Sequence, residues 1–289
     1  MRHRLPPVPQ DLWPVVTCVL VLELEVGEAP VTSHLPASLH TILTVMLQGS
    51  IDMPGEAGAS SWTPAPSAFV AGLSNLPLVS RQHGRLRMLS VLLQPSAVSR
   101  LLGESAAVLH NRSFPLDALW PLAWRELEER LHEAATEAAQ LDLLFDFLRA
   151  RWHRHPPRGT DRRAREFSLH IHRGPRDAAR EAGLGTRQFA RQFTATLGVG
   201  PKQYHRVARF GSMLGEALLA PDALSSLALA HGYFDQSHLT NESRALSGLP
   251  MGQLLARIDS GDPGYWSYRV GRDMLRFART LSPRHWPYR

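Results

Sequence analysis

Apolar positions in the first 93 residues fall into short strand-like runs. Residues 15–26 (VVTCVLVLELEV), 40–47 (HTILTVML) and 85–93 (RLRMLSVLL) are β-branched or apolar stretches that predict strands. Pro-, Gly- and Ser-rich spacers separate them, such as residues 51–67 (IDMPGEAGASSWTPAPS). From about residue 95 the period becomes helical. Residues 95–103 (PSAVSRLLG) predict a short helix, with Pro95 at its start and Gly103 at its end.

In residues 122–152 a longer pattern appears. Leu127, Leu131, Ala134, Ala138, Leu141, Phe145 and Leu148 recur at alternating spacings of four and three. That places them on one stripe of one helix, or of two helices broken near Thr136. The stripe fits two arrangements: packing on the β-rich part of its own domain, or the seam of a homodimer through this helical region. Residues 154–165 (RHPPRGTDRRAR) carry prolines, glycine and charge with nothing to bury, and predict a linker.

The basic half contains a repeat. Residues 178–201 overlay residues 227–251, with Gly183 matching Gly232 at an offset of 49. Phe189 matches Leu239, Phe193 matches Ser243 and Gly198 matches Gly248, each at an offset of 50, so the second copy has one extra turn residue. Each copy predicts a short helix, a glycine-opened turn and a second helix with apolar residues at i and i+4. This is the helix-turn-helix plan, in which the second helix enters the groove of DNA. Between the copies, residues 201–222 predict one helix with Pro201 at its first position and Tyr204, Val207, Ala208, Leu214 and Leu218 on one face. Pro221 helps to stop it. About 19 helical residues span roughly 28 Å, near the roughly 34 Å between successive major grooves on one duplex face.

Charge follows the same division. Residues 1–150 hold 10 Arg against 15 Asp and Glu, a net of −5, whereas residues 151–289 hold 22 Arg and Lys against 11 acids, a net of +11. Only the second half has the charge to meet a polyanion. Cys18 is the sole cysteine, which excludes an intramolecular disulfide and a thiolate metal cluster. The N-terminal stretch MRHRLPPVPQDLW is broken by proline before any signal-peptide core, and residues 15–26 are too short and too acidic to span a bilayer. A cytoplasmic protein without a membrane segment is therefore expected.

These features resemble the DNA-binding half of AraC/XylS-type transcriptional regulators, over about residues 162–258. GLGTRQFARQF (183–193) fits the family's Gly-Leu-Ser-x-Arg-x-Leu-x-Arg-x-Phe form, LGVGPKQY (197–204) fits the Gly-x-Ser-Pro-x-x-Tyr that follows, and GYFDQSHL (232–239) fits Gly-Phe-x-x-x-Ser-x-Phe. A weaker similarity over residues 10–150 is to the sensory domain of a subset of these regulators. The resemblance implies an α+β chain. A β-rich sensory or dimerisation domain with trailing helices would span residues 1–153, followed by the linker at 154–165. An all-α domain of two helix-turn-helix units joined by a long helix would span 166–258, with a C-terminal extension at 259–289. It further implies double-stranded DNA and RNA polymerase as partners, a small-molecule effector at the N-terminal domain, and activation as the more frequent direction of regulation.

Arginine pairs bidentately with guanine and glutamine with adenine. In the first unit Thr186, Arg187, Gln188, Arg191 and Gln192 face outward, and the resemblance implies base reading by Arg187, Gln188, Arg191 and Gln192. Lys202 and Arg206 are phosphate candidates at the start of the joining helix. In the second unit Gln236, Ser237, His238 and Asn241 can hydrogen-bond base edges. That unit departs from the family: Asn241 stands where the first copy has Arg191, Ser243 replaces a buried phenylalanine, and Glu242 is expected to repel phosphate. The first unit is therefore expected to supply most of the affinity.

Other chemistry finds little support. The i,i+2 pairs His153/His155 and His170/His172 point about 200° apart on a helix and cannot share an ion. His34 and His40 lack a nearby His-x-His and Glu, so no metal or cofactor is expected. Asp142 and Asp146 read as a solvated face. No Gly-x-Ser-x-Gly, P-loop or dinucleotide fingerprint occurs, and no catalytic residue is assigned. Cys18, in an apolar strand, is expected to be buried and inert. The sequence thus points to a sequence-specific transcriptional regulator that inserts two helices into successive major grooves. The alternative is a β-rich small-molecule-binding protein or enzyme whose basic tail has incidental nucleic-acid affinity.

Overall fold

The computed structural model describes every residue except 28, 56–57, 158, 221–223 and 281–289, with the side chains of 58–60 and 277–280 also outside the described set. The expected helix stop at Pro221 and the last part of the C-terminal extension therefore lie outside the described residues.

Two antiparallel sheets form the N-terminal half. The first has six strands in the order β1 (Arg2–Arg4), β2 (Val16–Glu25), β9 (Arg85–Leu93), β4 (Thr41–Gln48), β7 (Ala68–Ala71) and β10 (Ser113–Pro115). The second has four, in the order β3 (Val31–Leu35), β8 (Leu78–Gln82), β5 (Ile51–Gly55) and β6 (Gly58–Pro64). The three apolar runs of the sequence are β2, β4 and β9, the adjacent central strands of the larger sheet. Both faces of this sheet are buried, which is why these runs are almost continuously apolar. Val19, Val21, Leu43, Val45, Leu89 and Val91 point to one face, while Leu20, Leu22, Leu24, Met46, Leu86 and Met88 point to the other.

The spacer expected at 51–67 contains a hairpin instead. Asp52 pairs with Pro64, Met53 with Thr63 and Pro54 with Trp62. Pro54 is tolerated because β8 pairs with β5 only at Ile51 and Asp52, so no second ladder needs its missing N–H.

Helices α1 (Val98–Leu102), α2 (Ala106–Leu109), α3 (Leu116–Leu119), α4 (Pro121–Glu133) and α5 (Glu137–Arg154) follow β9, with β10 between α2 and α3. The seven-residue stripe runs along two helices, broken where the Thr136 hydroxyl accepts from Ala139 N and caps α5. Leu127, Leu131, Leu141, Phe145 and Leu148 are buried in one core with Val19, Val45 and Val91 of the sheet. The chain's own sheet thus takes up these side chains, which is the first of the two arrangements the stripe fits.

The linker expected at 154–165 is also corrected. From Gly159 the chain is helical, as α6 (Gly159–His170), because Ala164, Phe167 and Ile171 recur on one face and are buried against the first helix-turn-helix unit. That unit is α7 (Pro175–Glu181) and α8 (Thr186–Leu197); the joining helix is α9 (Pro201–Leu219); the second unit is α10 (Leu224–Ala230) and α11 (Gln236–Ser247). Next comes α12 (Met251–Asp259). The C-terminal extension closes the fold as α13 (Trp266–Thr280), placing Trp266 and Val270 in one core with Leu22, Leu86 and Met88 of the large sheet. Trp266 Nε1 donates to the buried Ser33 Oγ at 2.7 Å, which itself donates to Gln82 Oε1 at 2.8 Å. No helix among the described residues is long and apolar enough to cross a membrane.

Candidate nucleic-acid interface

The repeat read from the sequence is a repeat of structure. Helices α8 and α11 each have 12 residues and begin 50 positions apart. Both turns use a left-handed glycine, Gly183 (φ 65°) and Gly232 (φ 74°), and both second helices end on one, Gly198 (φ 80°) and Gly248 (φ 84°). The turn amides repeat as well: Leu184 N donates to Ala179 O and Tyr233 N to Ala228 O, each at 2.9 Å. The extra residue of the second copy lies between Ala230 and Gln236, where Asp235 caps α11 by accepting from His238 N at 2.7 Å. The first copy has Gly185 there, without a side-chain cap.

Their interiors differ. The first unit is built on rings: Phe167 meets Phe189 at 5.0 Å, Phe193 lies 5.4 Å from Phe189, and Tyr204 of α9 stands edge-on to Phe193 at 5.3 Å. In the second unit Ser243 occupies the position of Phe193 and is fully buried. Its hydroxyl donates to Leu249 O at 2.6 Å, and Ser247 Oγ reaches the same carbonyl at 3.1 Å. A pair of hydroxyls on the chain leaving α11 thus replaces the missing ring.

Glu242 corrects an expectation. It is 4% exposed and points at α9, so it does not stand against phosphate on the outer face. Arg209 Nη2 donates to both its oxygens at 2.9 and 2.8 Å, Arg206 Nε donates at 3.2 Å, and the Tyr233 hydroxyl donates at 2.8 Å. The Arg209 guanidinium also lies over the Tyr233 ring, 4.7 Å from its centre. Burial, and then the facing carboxylate, push the Tyr233 phenol well above its ordinary range. A buried carboxylate persists only with this number of donors.

The outward faces can now be compared. Thr186, Arg187, Gln188 and Arg191 are exposed on α8, Gln192 is half-buried at its edge, and Lys202 is exposed at the start of α9. Gln236, Ser237 and Asn241 are exposed on α11. Two expected residues are placed otherwise. Arg206 is half-buried, with its Nε donating to Glu242 at 3.2 Å. His238 is half-buried with Nε2 3.4 Å from Arg209 Nη2, so its ring faces the joining helix.

Arg173, Arg176 and Arg209 were missed from the sequence. With Lys202, His205 and Arg206 they line a basic cleft of about 490 Å³ between the entry to α7 and the first turns of α9. Burial, followed by the charge of Arg209, holds the His205 imidazole below its ordinary value. The cleft was legible in part, since Lys202, Arg206 and Arg209 stand at i, i+4 and i+7, one stripe of a helix. Elsewhere, burial pushes the Cys18 thiol up to about 12. Among the described residues no group of three or more His, Cys, Asp and Glu could hold a metal ion.

Residues 178–257 match the family model described as a helix-turn-helix domain. Among solved structures the chain is similar to ToxT from Vibrio cholerae O395, with 9% identity and a TM-score of 0.45 over 82% of this chain and 95% of that one. It is similar to the same degree to unsaturated fatty acid-bound wild-type ToxT from Vibrio cholerae strain SCE256, with 9% identity and a TM-score of 0.45 over 82% of this chain and 94% of that one. No curated protein matches the chain.

Proposed function

We propose, from the premise that residues 178–257 are a helix-turn-helix domain of the AraC type, that this chain binds specific double-stranded DNA sequences to regulate transcription. The observation that carries the reading is the pair of 12-residue helices, 50 positions apart, on either side of a 19-residue joining helix. A helix of that length spans about 28 Å, which suits two adjacent major grooves of one duplex face with modest bending.

In this reading Arg187, Gln188 and Arg191 contact base edges, with Thr186 and Gln192 at the margin. Lys202 contacts phosphate, where cations hold register without reading sequence. Gln236, Ser237 and Asn241 add hydrogen bonds from the second unit. The β-rich half, residues 1–153, serves as the sensory domain, and activation through RNA polymerase is the direction taken from the family resemblance alone.

Selection of duplexes from a random pool by the full chain, followed by footprinting, tests the reading. The expected result is an enriched sequence protected on one face over two successive turns. No enrichment over bulk DNA at about 0.15 M salt overturns it.

A further inference from the structure

The β-rich half grips both reading helices at their C-terminal ends. At the end of α8, a Cβ on Gly198 would lie 2.6 Å from the Ala106 carbonyl and 2.7 Å from the Ala107 nitrogen, so α2 presses directly on the helix cap. At the end of α11, Ala37 N donates to Leu246 O at 2.7 Å. That carbonyl is in the last turn, where a helix has no partner of its own to offer.

Between these two points the β-rich half also inserts two short loops tied together. Residues 36–40 join β3 to β4, and residues 72–77 join β7 to β8. Ser38 and Ser74 exchange both backbone hydrogen bonds, at 2.8 and 2.9 Å. Ala37 is buried in the core of the second unit with Phe210, Tyr233 and Leu246. Leu73 is buried in the core of the first with Phe167, Phe189 and Phe193. Leu39 packs against both cores.

We propose that residues 36–40, with Leu39 as the positioning residue, form a wedge through which the β-rich half sets the spacing of α8 and α11. Helix α9 joins the units covalently, but each unit contacts it through its own core, Tyr204 in the first and Phe210, Met213 and Ala217 in the second. The wedge supplies a second connection, and it leads straight into a central strand of the large sheet, because β4 begins at Thr41. A packed contact of this kind passes on small displacements, since close-packed interiors have little room to absorb them. The consequence for DNA rests on the proposed function, whereas the spacing itself does not.

The test uses the full chain with spin labels on Ala195→Cys and Ala245→Cys, exposed positions that correspond in the two copies, in a Cys18→Ser background. One narrow distance distribution is expected with Leu39. A broader one is expected with Leu39→Ala, and a narrow one again with Leu39→Met, which conserves volume. Leu39→Val, a smaller truncation, should give an intermediate width and covers the case in which Leu39→Ala does not fold. In parallel, duplexes are selected from a random pool. The parent should enrich two half-sites at one spacing, and Leu39→Ala the same half-sites at several spacings. An unchanged distance distribution, or a single retained spacing, in a folded Leu39→Ala overturns the wedge. If the parent enriches no sequence, the DNA reading fails while the label distances still decide the wedge.

Discussion

The two helix-turn-helix units share a backbone and differ in where they direct their charge. The first packs Phe167, Phe189, Phe193 and Tyr204 inside and leaves Arg187 and Arg191 exposed outside. The second draws Arg206 and Arg209 inward onto the buried Glu242 and presents Gln236, Ser237 and Asn241 instead. One scaffold therefore carries two arginines on the outer face of α8, and on α11 mainly uncharged polar groups with Arg244 alone in the last turn. The second unit is a differently built domain: a buried ion cluster and a serine-to-carbonyl contact do the work that rings do in the first.

Corresponding substitutions should expose this difference in construction most strongly. Phe193→Ala removes a fully buried ring and should cost about 4 kcal/mol of unfolding free energy in urea titrations. Ser243→Ala, at the same position of the second copy, should cost only about 1 kcal/mol, because Leu249 O keeps the hydroxyl of Ser247. Equal losses at the two positions would contradict the account.

The next effect lies at Glu242. Glu242→Gln withdraws the charge that two arginines face and should destabilise by about 3 kcal/mol. Gln192→Ala, its counterpart in the first unit, should stay within about 0.5 kcal/mol. Chemical denaturation of both variants checks this, and a mild Glu242→Gln would mean that the cluster does not hold the second unit together.

Much of this was legible in the sequence, and particular residues show why the rest was not. The repeat, its extra turn residue and the joining helix could be read because glycine spacing and helical periodicity are local properties. The strands β2, β4 and β9 stood out because both of their faces are buried. The smaller sheet did not, since β5 and β6 are short, half-polar and contain Pro54. Residues 154–165 read as a linker because charge outweighed Ala164, whose partner Phe167 lies just beyond that stretch. Glu242 misled because a carboxylate is ordinarily solvated, yet it falls on the inner face with Leu239 and Leu246, at i+3 and i−4. Its partners Arg206 and Arg209 sit more than 30 residues away in sequence, and only the tertiary structure brings them together.

A smaller effect concerns the seam between the units. His40 adjoins Leu39, and burial holds its imidazole down to about 4, against about 6.5 in an unfolded chain. The folded state therefore keeps it neutral while the unfolded state takes up a proton. The associated stability is fully present above about pH 6.5 and is lost as pH falls toward 4, in total at most on the order of 3 kcal/mol. Melting temperatures measured from pH 7 to 4 should fall more steeply for the parent than for His40→Gln. Parallel curves would remove His40 as the cause.

The central claim is that the first unit carries the electrostatic share of DNA binding, and the salt dependence of binding tests it most directly. Affinity for the selected duplex would be measured across a salt series for the parent, Arg191→Ala and Asn241→Ala. Arg191→Ala should lose roughly tenfold in affinity, on the order of 1.4 kcal/mol, and lower the magnitude of the log–log salt slope by up to about 1. Asn241→Ala should relax sequence preference with an unchanged slope. Equal losses of affinity with equal changes of slope would contradict the division between the two units.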